Sequence, residues 1–419
     1  VIVAAVPARG PFRGAVAVPP SKSFTNRALV LAALAGHPVA IRRPLACDDA
    51  DSLIAALSAA GTGIRRDGEV LVVTPGCPPS SEAVLDVRDS GTACRFLAAL
   101  ASATPGLRAI LTGSARLRER PVGGLVEALR AIGADVAYAE REGFPPLAIR
   151  GQELEGGRVD VAASESSQFA SAMLLAAPRF RGGVDLGLSG APVSRAYLET
   201  TREALAAAGV ECTVRDGRFR VPPGASVAAE VLDVPGDWSS GASLAAAVAV
   251  AGGSLRIERV PWPSSQADAR ALGVLEEMGV TVETEPFAVT VAGKATRSAR
   301  VDAGDFPDAV PVLSAVAARV DGESAFRGIA HLKIKESDRI AALEDLLRAA
   351  GVRCASSGDA LSVTGGGKVP APVLLPTRAD HRIVMSATLL SFAAGGFVES
   401  PRSVEKSYPG FFADLFAGA

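Results

Sequence analysis

Histidine and cysteine are scarce in this chain of 419 residues, and the few present are scattered. The three histidines, His37, His331 and His381, lie far apart, and the five cysteines (Cys47, Cys77, Cys94, Cys212, Cys354) are odd in number with no Cys-x-x-Cys pair. No metal centre is therefore expected, and the cysteines read as reduced thiols of a cytoplasmic chain. Nor does one charge dominate: 43 Lys and Arg against 45 Asp and Glu leave a formal net charge of -2. That removes any global electrostatic case for nucleic acid, so a basic function must be local. Long hydrophobic runs are missing too. The longest, around Leu29 to Ala35 and Leu244 to Ala251, are too short and too Ala-rich to span a bilayer. The first residues show no charged start followed by an apolar core and a small-residue cleavage site, so no secretory leader is expected.

What is present is a rhythm. Six polar or charged clusters, about 70 residues apart, each introduce an Ala/Leu/Val-rich run with helical spacing. They are Ser21 to Arg27, Asp89 to Arg95, Ser166 to Phe169, Asp237 to Ser240, Phe306 to Ala309 and Asp380 to Arg382. Between them runs a second, amphipathic helix type that ends at glycine: Ser52 to Gly61, Gly123 to Gly133, Leu198 to Gly209, Ala267 to Gly279 and Asp338 to Gly351. Those glycines suit the left-handed cap that only glycine adopts cheaply. The pattern predicts an α/β repeat protein with two units of three repeats. Its first helix type is buried all round and its second half exposed. Prolines at Val18-Pro19-Pro20 and Val234-Pro235-Gly236 mark a double crossover. The expected domains are 21–233 and, joined by a two-strand hinge, 1–20 with 234–419.

Helix starts bind anions, because their backbone N–H groups are unpaired and the dipole end is positive. Ser, Thr and Asp there are ordinary caps, but a cap does not account for Lys22, Arg27, Arg120, Arg382 or Lys406. Pro20 to Leu29 places Lys22, Ser23 and Arg27 near the first turn of a buried helix, where they can grip phosphate or carboxylate. The same motif holds Asn26, the single asparagine of the chain, for which a specific hydrogen bond is expected. Arg116 to Pro121 is a basic cluster before a helix opened by proline; beside Gly91, whose missing side chain lets an anion approach the backbone, it reads as functional. Lys333 to Arg339 sets Glu336 among cations, a candidate proton-transfer group. Asp308 enters an apolar run, where it is either an N-cap or a general base.

These motifs, in this order over nearly the whole chain, resemble the 5-enolpyruvylshikimate-3-phosphate synthase family. The resemblance implies the two-domain enolpyruvyl transferase fold, an inside-out α/β barrel of six βαβαββ repeats with parallel helices inside, sheets outside and helix starts facing an interdomain cleft. It implies transfer of the enolpyruvyl group of phosphoenolpyruvate to the 5-hydroxyl of shikimate 3-phosphate in the shikimate pathway, without cofactor or metal, by a monomer that glyphosate-like inhibitors would target. Carried over residue by residue, the shikimate 3-phosphate site comprises Lys22, Ser23, Arg27, Ser166, Ser167, Gln168, Ser194, Tyr197, Asp308 and Lys335. The phosphoenolpyruvate site comprises Lys22, Gly91, Arg120, Gln168, Arg339, Arg382 and Lys406, with His381 beside it. Glu336 is the expected acid, Asp308 the base and Lys22 a shared proton-transfer and electrostatic group.

The chain departs from the family pattern in four places. Asp89 stands where Asn is common, Ser90 where Ala is frequent, Ala196 where Pro often follows Arg195, and His331 where some relatives carry Asn. The nearest rival is an enolpyruvyl transferase acting on a UDP-amino sugar, which typically uses a loop cysteine, whereas Cys94 lies inside an apolar helix start and reads as a core residue. A noncatalytic anion-binding protein of this fold would be expected to lose Glu336 or Asp308.

Overall fold

Six helices form where the apolar runs predict them: α1 (Lys22–Leu34), α2 (Gly91–Ser102), α3 (Ser167–Ala176), α4 (Trp238–Ala251), α5 (Val310–Ala317) and α6 (His381–Ser391). Their small side chains leave no polar face, and each is buried along nearly its whole length. The second helix type follows each of the first five at Asp48–Ala59, Gly123–Ala131, Ala196–Ala207, Ala271–Glu277 and Arg339–Ala349. All five end alike, because Gly61, Gly133, Gly209, Gly279 and Gly351 sit at φ between 72° and 100°. At each end the glycine N–H and the next residue's N–H return to the last turn, as in Gly61 N to Ser58 O and Thr62 N to Leu57 O, both 3.0 Å. The fourth of these helices begins as a tighter 3-10 turn, Ala267–Arg270.

The computed structural model describes residues 2–163, 166–190, 194–367 and 373–416. They divide into two units, Pro20–Val234 and Val1–Pro19 with Pro235–Ala419. The second repeat displays the βαβαββ unit in full: strands Ala83–Asp86 and Arg108–Thr112 pair in parallel, Leu147–Arg150 lies antiparallel to the latter, and Asp135–Tyr138 closes the edge. Four further four-stranded sheets repeat this order. In the sixth repeat a single strand, Val3–Val6, replaces the final pair, antiparallel to Gly396–Glu399.

Two strands have exchanged places along the chain. Strand Ala15–Ala17 precedes α1 but pairs with Ser254–Glu258, completing the sheet of the fourth repeat. Val231–Asp233 precedes α4 but pairs with Val39–Arg42, completing the first. Each unit therefore closes its own sheets. The two passes of chain meet where Asp237 N donates to Pro19 O at 2.9 Å.

Candidate active site

In Pro20–Val234 the helix-start serines act as caps. Ser21 accepts from Phe24 N, Ser90 from Ala93 N and Ser166 from Gln168 N, at 3.4, 3.3 and 3.2 Å. Capping thus accounts for Ser90, which departs from the family pattern. Asp89 does not cap; it is exposed and accepts a hydrogen bond from Ser114 Oγ, the residue that caps the short helix Ala115–Arg118.

The cations beside these caps are held differently. Lys22 Nζ donates to Asp49 Oδ2 at 3.0 Å. Arg27 is 2% exposed, and every acceptor it meets among the described residues is uncharged: Thr201 Oγ1 and Ser23 O at 2.9 Å, Tyr197 O at 3.2 Å and Ser171 Oγ at 3.5 Å. Burial pulls its pKa down to about 10, with Tyr197 working the other way, so it keeps its charge at neutral pH. A buried cation whose acceptors are all neutral is poised for an anion. Ser194 is buried nearby in sequence with φ 54°, one turn before Tyr197 on the helix that supplies Thr201.

Gly91 opens α2 where space is needed. A Cβ there would collide with the guanidinium ends of Arg95 and Arg120. Arg95 donates to Gly91 O and to Pro121 O, both 2.9 Å. That second bond explains why Pro121 does not open the following helix, which starts two residues later with Val122 as its cap. The basic cluster separates by burial: Arg116 and Arg118 pair with Glu119 and Glu140 at the surface, at 2.9 and 3.1 Å, while Arg120 is buried. Gln168 Nε2 donates to Thr92 Oγ1 at 3.1 Å, and its Oε1 has no partner among the described residues. Ser167 is buried beside it. Asn26 is fully buried with neither amide atom partnered among the described residues, so the hydrogen bond expected for it is not found there.

In the other unit the centre is Arg339, 1% exposed at the start of Arg339–Ala349. Its Nε donates to Asp380 Oδ2 at 2.9 Å, Nη1 to Asp308 Oδ1 at 2.9 Å and Nη2 to Glu336 Oε2 at 2.8 Å. Asp308 lies in the turn Pro307–Ala309 before α5 and caps nothing. It faces Lys335 Nζ at 4.0 Å and Arg382 Nη2 at 3.7 Å. Burial opposes its charge, but Lys335, Arg339 and Arg382 outweigh burial and hold the carboxyl ionised, far below the usual carboxylate range. Asp380 caps α6 and also accepts from Ser337 Oγ at 2.9 Å. Arg382 is buried, and its Nε has no acceptor among the described residues. His381 lies beside Asp380, its Nδ1 at 3.7 Å from the carboxylate. His331 is buried, and burial together with Lys335 lowers its pKa to about 4, which leaves it neutral at pH 7. Lys406 ends the turn Pro401–Lys406, which packs against α6.

Two further carboxylates join this cluster, and the second carries little sequence signal. Asp237 caps α4, and Asp268 accepts from Ser239 Oγ in the first turn of that helix. Burial and Asp308 raise Asp268 to about 6. A lone Asp between Ala267 and Ala269 was its only mark. The two units therefore differ in sign. In the first, Lys22 pairs with Asp49 beside Arg27, Arg95 and Arg120, whereas in the second Asp237, Asp268, Asp308, Glu336 and Asp380 lie around Lys335, Arg339 and Arg382. The first arrangement suits an anion. The second can move protons. Cys94 is fully buried in α2, and burial raises its thiol, so it is a core residue and no nucleophile.

Six βαβαββ repeats with charged groups gathered at buried helix starts are the architecture of the enolpyruvyl transferases. The structure matches that of the enolpyruvyl transferase NikO from Streptomyces tendae with a TM-score of 0.76 over 99% of this chain and 96% of that one, at 19% identity, a likeness of fold. It matches EPSP synthase from Acinetobacter baumannii with a TM-score of 0.81 at 25% identity, over 98% of this chain and 97% of that chain. In sequence it is 40% identical to the 3-phosphoshikimate 1-carboxyvinyltransferase of Methanoculleus marisnigri, over 97% of both chains. It is 39% identical to that of Thermococcus kodakarensis, over 96% of both. The family model for EPSP synthase (3-phosphoshikimate 1-carboxyvinyltransferase) spans residues 6–415. The chain belongs to this family.

Proposed function

We propose that this chain is a transferase that moves the enolpyruvyl group of phosphoenolpyruvate to the 5-hydroxyl of shikimate 3-phosphate and releases phosphate. The observation that carries the reading is the ionised Asp308 held among Lys335, Arg339 and Arg382, in a chain whose other unit keeps Arg27 charged among neutral acceptors. In Pro20–Val234, Lys22, Ser23, Arg27, Ser166, Ser167, Gln168, Ser194 and Tyr197 bind the sugar phosphate, and Lys22, Gly91, Arg120 and Gln168 bind phosphoenolpyruvate. In the other unit Arg339, Arg382 and Lys406 take the enolpyruvyl donor, while Asp308 and Lys335 face the sugar.

The reaction needs a proton on the methylene carbon, attack of the 5-hydroxyl on the cationic carbon so formed, and then loss of a methyl proton with departure of phosphate. Glu336 delivers the first proton and, left as the carboxylate, takes the methyl proton back as phosphate departs, while Asp308 accepts the hydroxyl proton. Lys22 and the arginines stabilise the leaving phosphate. In its resting pairing Asp308 is too acidic to be a good base. An incoming anion that competes for Lys335 and Arg382 loosens that hold and raises its basicity. The chain is proposed to act in the cytoplasm as a monomer; among the described residues no helix is long and apolar enough to cross a membrane.

The test is phosphate release from phosphoenolpyruvate with and without shikimate 3-phosphate, with the product mass checked for an added enolpyruvyl group. Release that depends on shikimate 3-phosphate and yields that mass is expected. Release with a UDP-amino sugar instead would reassign the acceptor.

A further inference from the structure

The apolar helices of Pro20–Val234 leave a gap at their far ends. A cavity of about 120 Å³ is walled by Ala33 and Ala35 at the end of α1, Leu57 from Asp48–Ala59, Leu97 and Leu100 from α2, and Arg179 beyond α3. It lies at the opposite helix ends from Lys22 and Gly91, roughly 20 Å away along α1 at 1.5 Å per residue. Its volume is close to that of the ~150 Å³ apolar cavity that stays dry and takes up benzene.

One wall group does not belong in such a hole. Arg179 is half-buried and makes no hydrogen bond or ion pair with the described residues, and burial lowers its pKa. A cation after a helix is favoured by the dipole, yet Arg179 donates to none of the α3 carbonyls. The hydroxyl of Thr62, also in the wall, has no partner among the described residues either. The helix-end carbonyls, by contrast, are already served: Ser102 Oγ donates to Ala98 O and Thr104 Oγ1 to Leu100 O, both 2.7 Å.

We propose that this cavity binds a small carboxylate with a compact apolar body, the ring or branched chain filling the leucine- and alanine-lined space and the carboxylate pairing with Arg179. Partial burial of a guanidinium without a counter-ion is unfavourable, and a planar carboxylate matches its fork. A neutral hydrocarbon leaves Arg179 as it is, and an ammonium ligand is repelled.

The probe is benzoate, titrated calorimetrically into the full chain, with toluene and benzylammonium as controls. Saturable benzoate binding is expected, along with a rise in melting temperature. Arg179→Gln is expected to weaken benzoate about tenfold, equivalent to 1.4 kcal/mol, and to leave toluene unaffected. Ala60→Leu, at the end of Asp48–Ala59, fills the space and removes both. Absence of saturable benzoate binding overturns the proposal, as does unchanged affinity in Arg179→Gln. Displacement of benzoate by phosphoenolpyruvate also overturns it, because it places the probe among the helix-start arginines.

Discussion

Replacing Arg339 by Met keeps the length and much of the volume of the side chain but removes the guanidinium from three carboxylates. Charge-assisted bonds contribute about 1.5–3 kcal/mol each, but these three share one donor group and do not add. The partners left behind differ. Asp308 retains Arg382 at 3.7 Å and Lys335 at 4.0 Å, Asp380 retains Ser337 Oγ and Arg382 N at 2.9 Å, and Glu336 is 18% exposed and reaches water. The expected loss is therefore about 3–5 kcal/mol, the usual cost of removing one partner from a buried ion pair. Both tryptophans, Trp238 and Trp262, lie in the same unit as Arg339, so their fluorescence in urea reports that unit alone. The loss should also depend on pH. The folded pKa of Asp308 lies below its unfolded value, so its contribution is complete above about pH 4 and disappears as pH falls through the folded value. Without Arg339 that contribution shrinks at pH 7.5, and the two proteins converge only as pH falls well below 4, toward the folded value. A loss under about 1 kcal/mol at pH 7.5, or one that does not shrink as pH is taken well below 4, would refute the assignment of Arg339 as the charge anchor.

Four shorter predictions concern the same groups. His331, lowered from 6.5 to about 4, stabilises the fold while neutral, and this contribution is lost as pH falls below 6.5; between pH 7.5 and 5 the wild type should lose about 2 kcal/mol more than His331→Gln, and parallel curves would exclude it. Gly91→Ala pushes a methyl group into the Arg95 and Arg120 guanidinium ends, so KM for phosphoenolpyruvate should rise about tenfold with little change in stability; an unchanged KM would remove Gly91 from that site. Asp308→Asn should lower kcat by about 10²–10⁴, and full turnover would show that another group takes the hydroxyl proton. Asp89→Asn keeps an acceptor for Ser114 Oγ at an exposed position, so glyphosate inhibition should change less than twofold, roughly 0.4 kcal/mol; a large change would give Asp89 a direct role.

Features written in local sequence were legible. Each glycine that ends an amphipathic helix does so at positive φ, and the clusters before Phe24, Ala93, Gln168, Ser240 and Arg382 hold real caps. Lys22, Arg27 and Asp308 stood out because charge at the start of an apolar helix is costly without a purpose, and Arg339 because it closes the charged run Lys333 to Arg339. What stayed hidden depends on distant partners. Asp49 lies 27 residues beyond Lys22, and Thr201 lies 174 beyond Arg27; neither carries a pattern of its own. The exchange of strands Ala15–Ala17 and Val231–Asp233 was hidden for the same reason, since strand pairing is read from sheets and not from a run of residues.

That exchange bears on synthesis. Residues 20–234 can complete every sheet of their unit as soon as Val231–Asp233 has emerged. The strands before α1 must wait longer: Ala15–Ala17 needs Ser254–Glu258, and Val3–Val6 needs Gly396–Glu399. At about 5–20 residues per second, the leading strands spend roughly 12–50 s beyond their own synthesis before the first of those partners exists. During that interval Phe12, Val16 and Val18, all buried in the finished protein, are open to water and to other chains. A crowded cell making this protein quickly would meet its aggregation hazard in the strands before α1, long before Asp308, Arg339 and Arg382 are assembled.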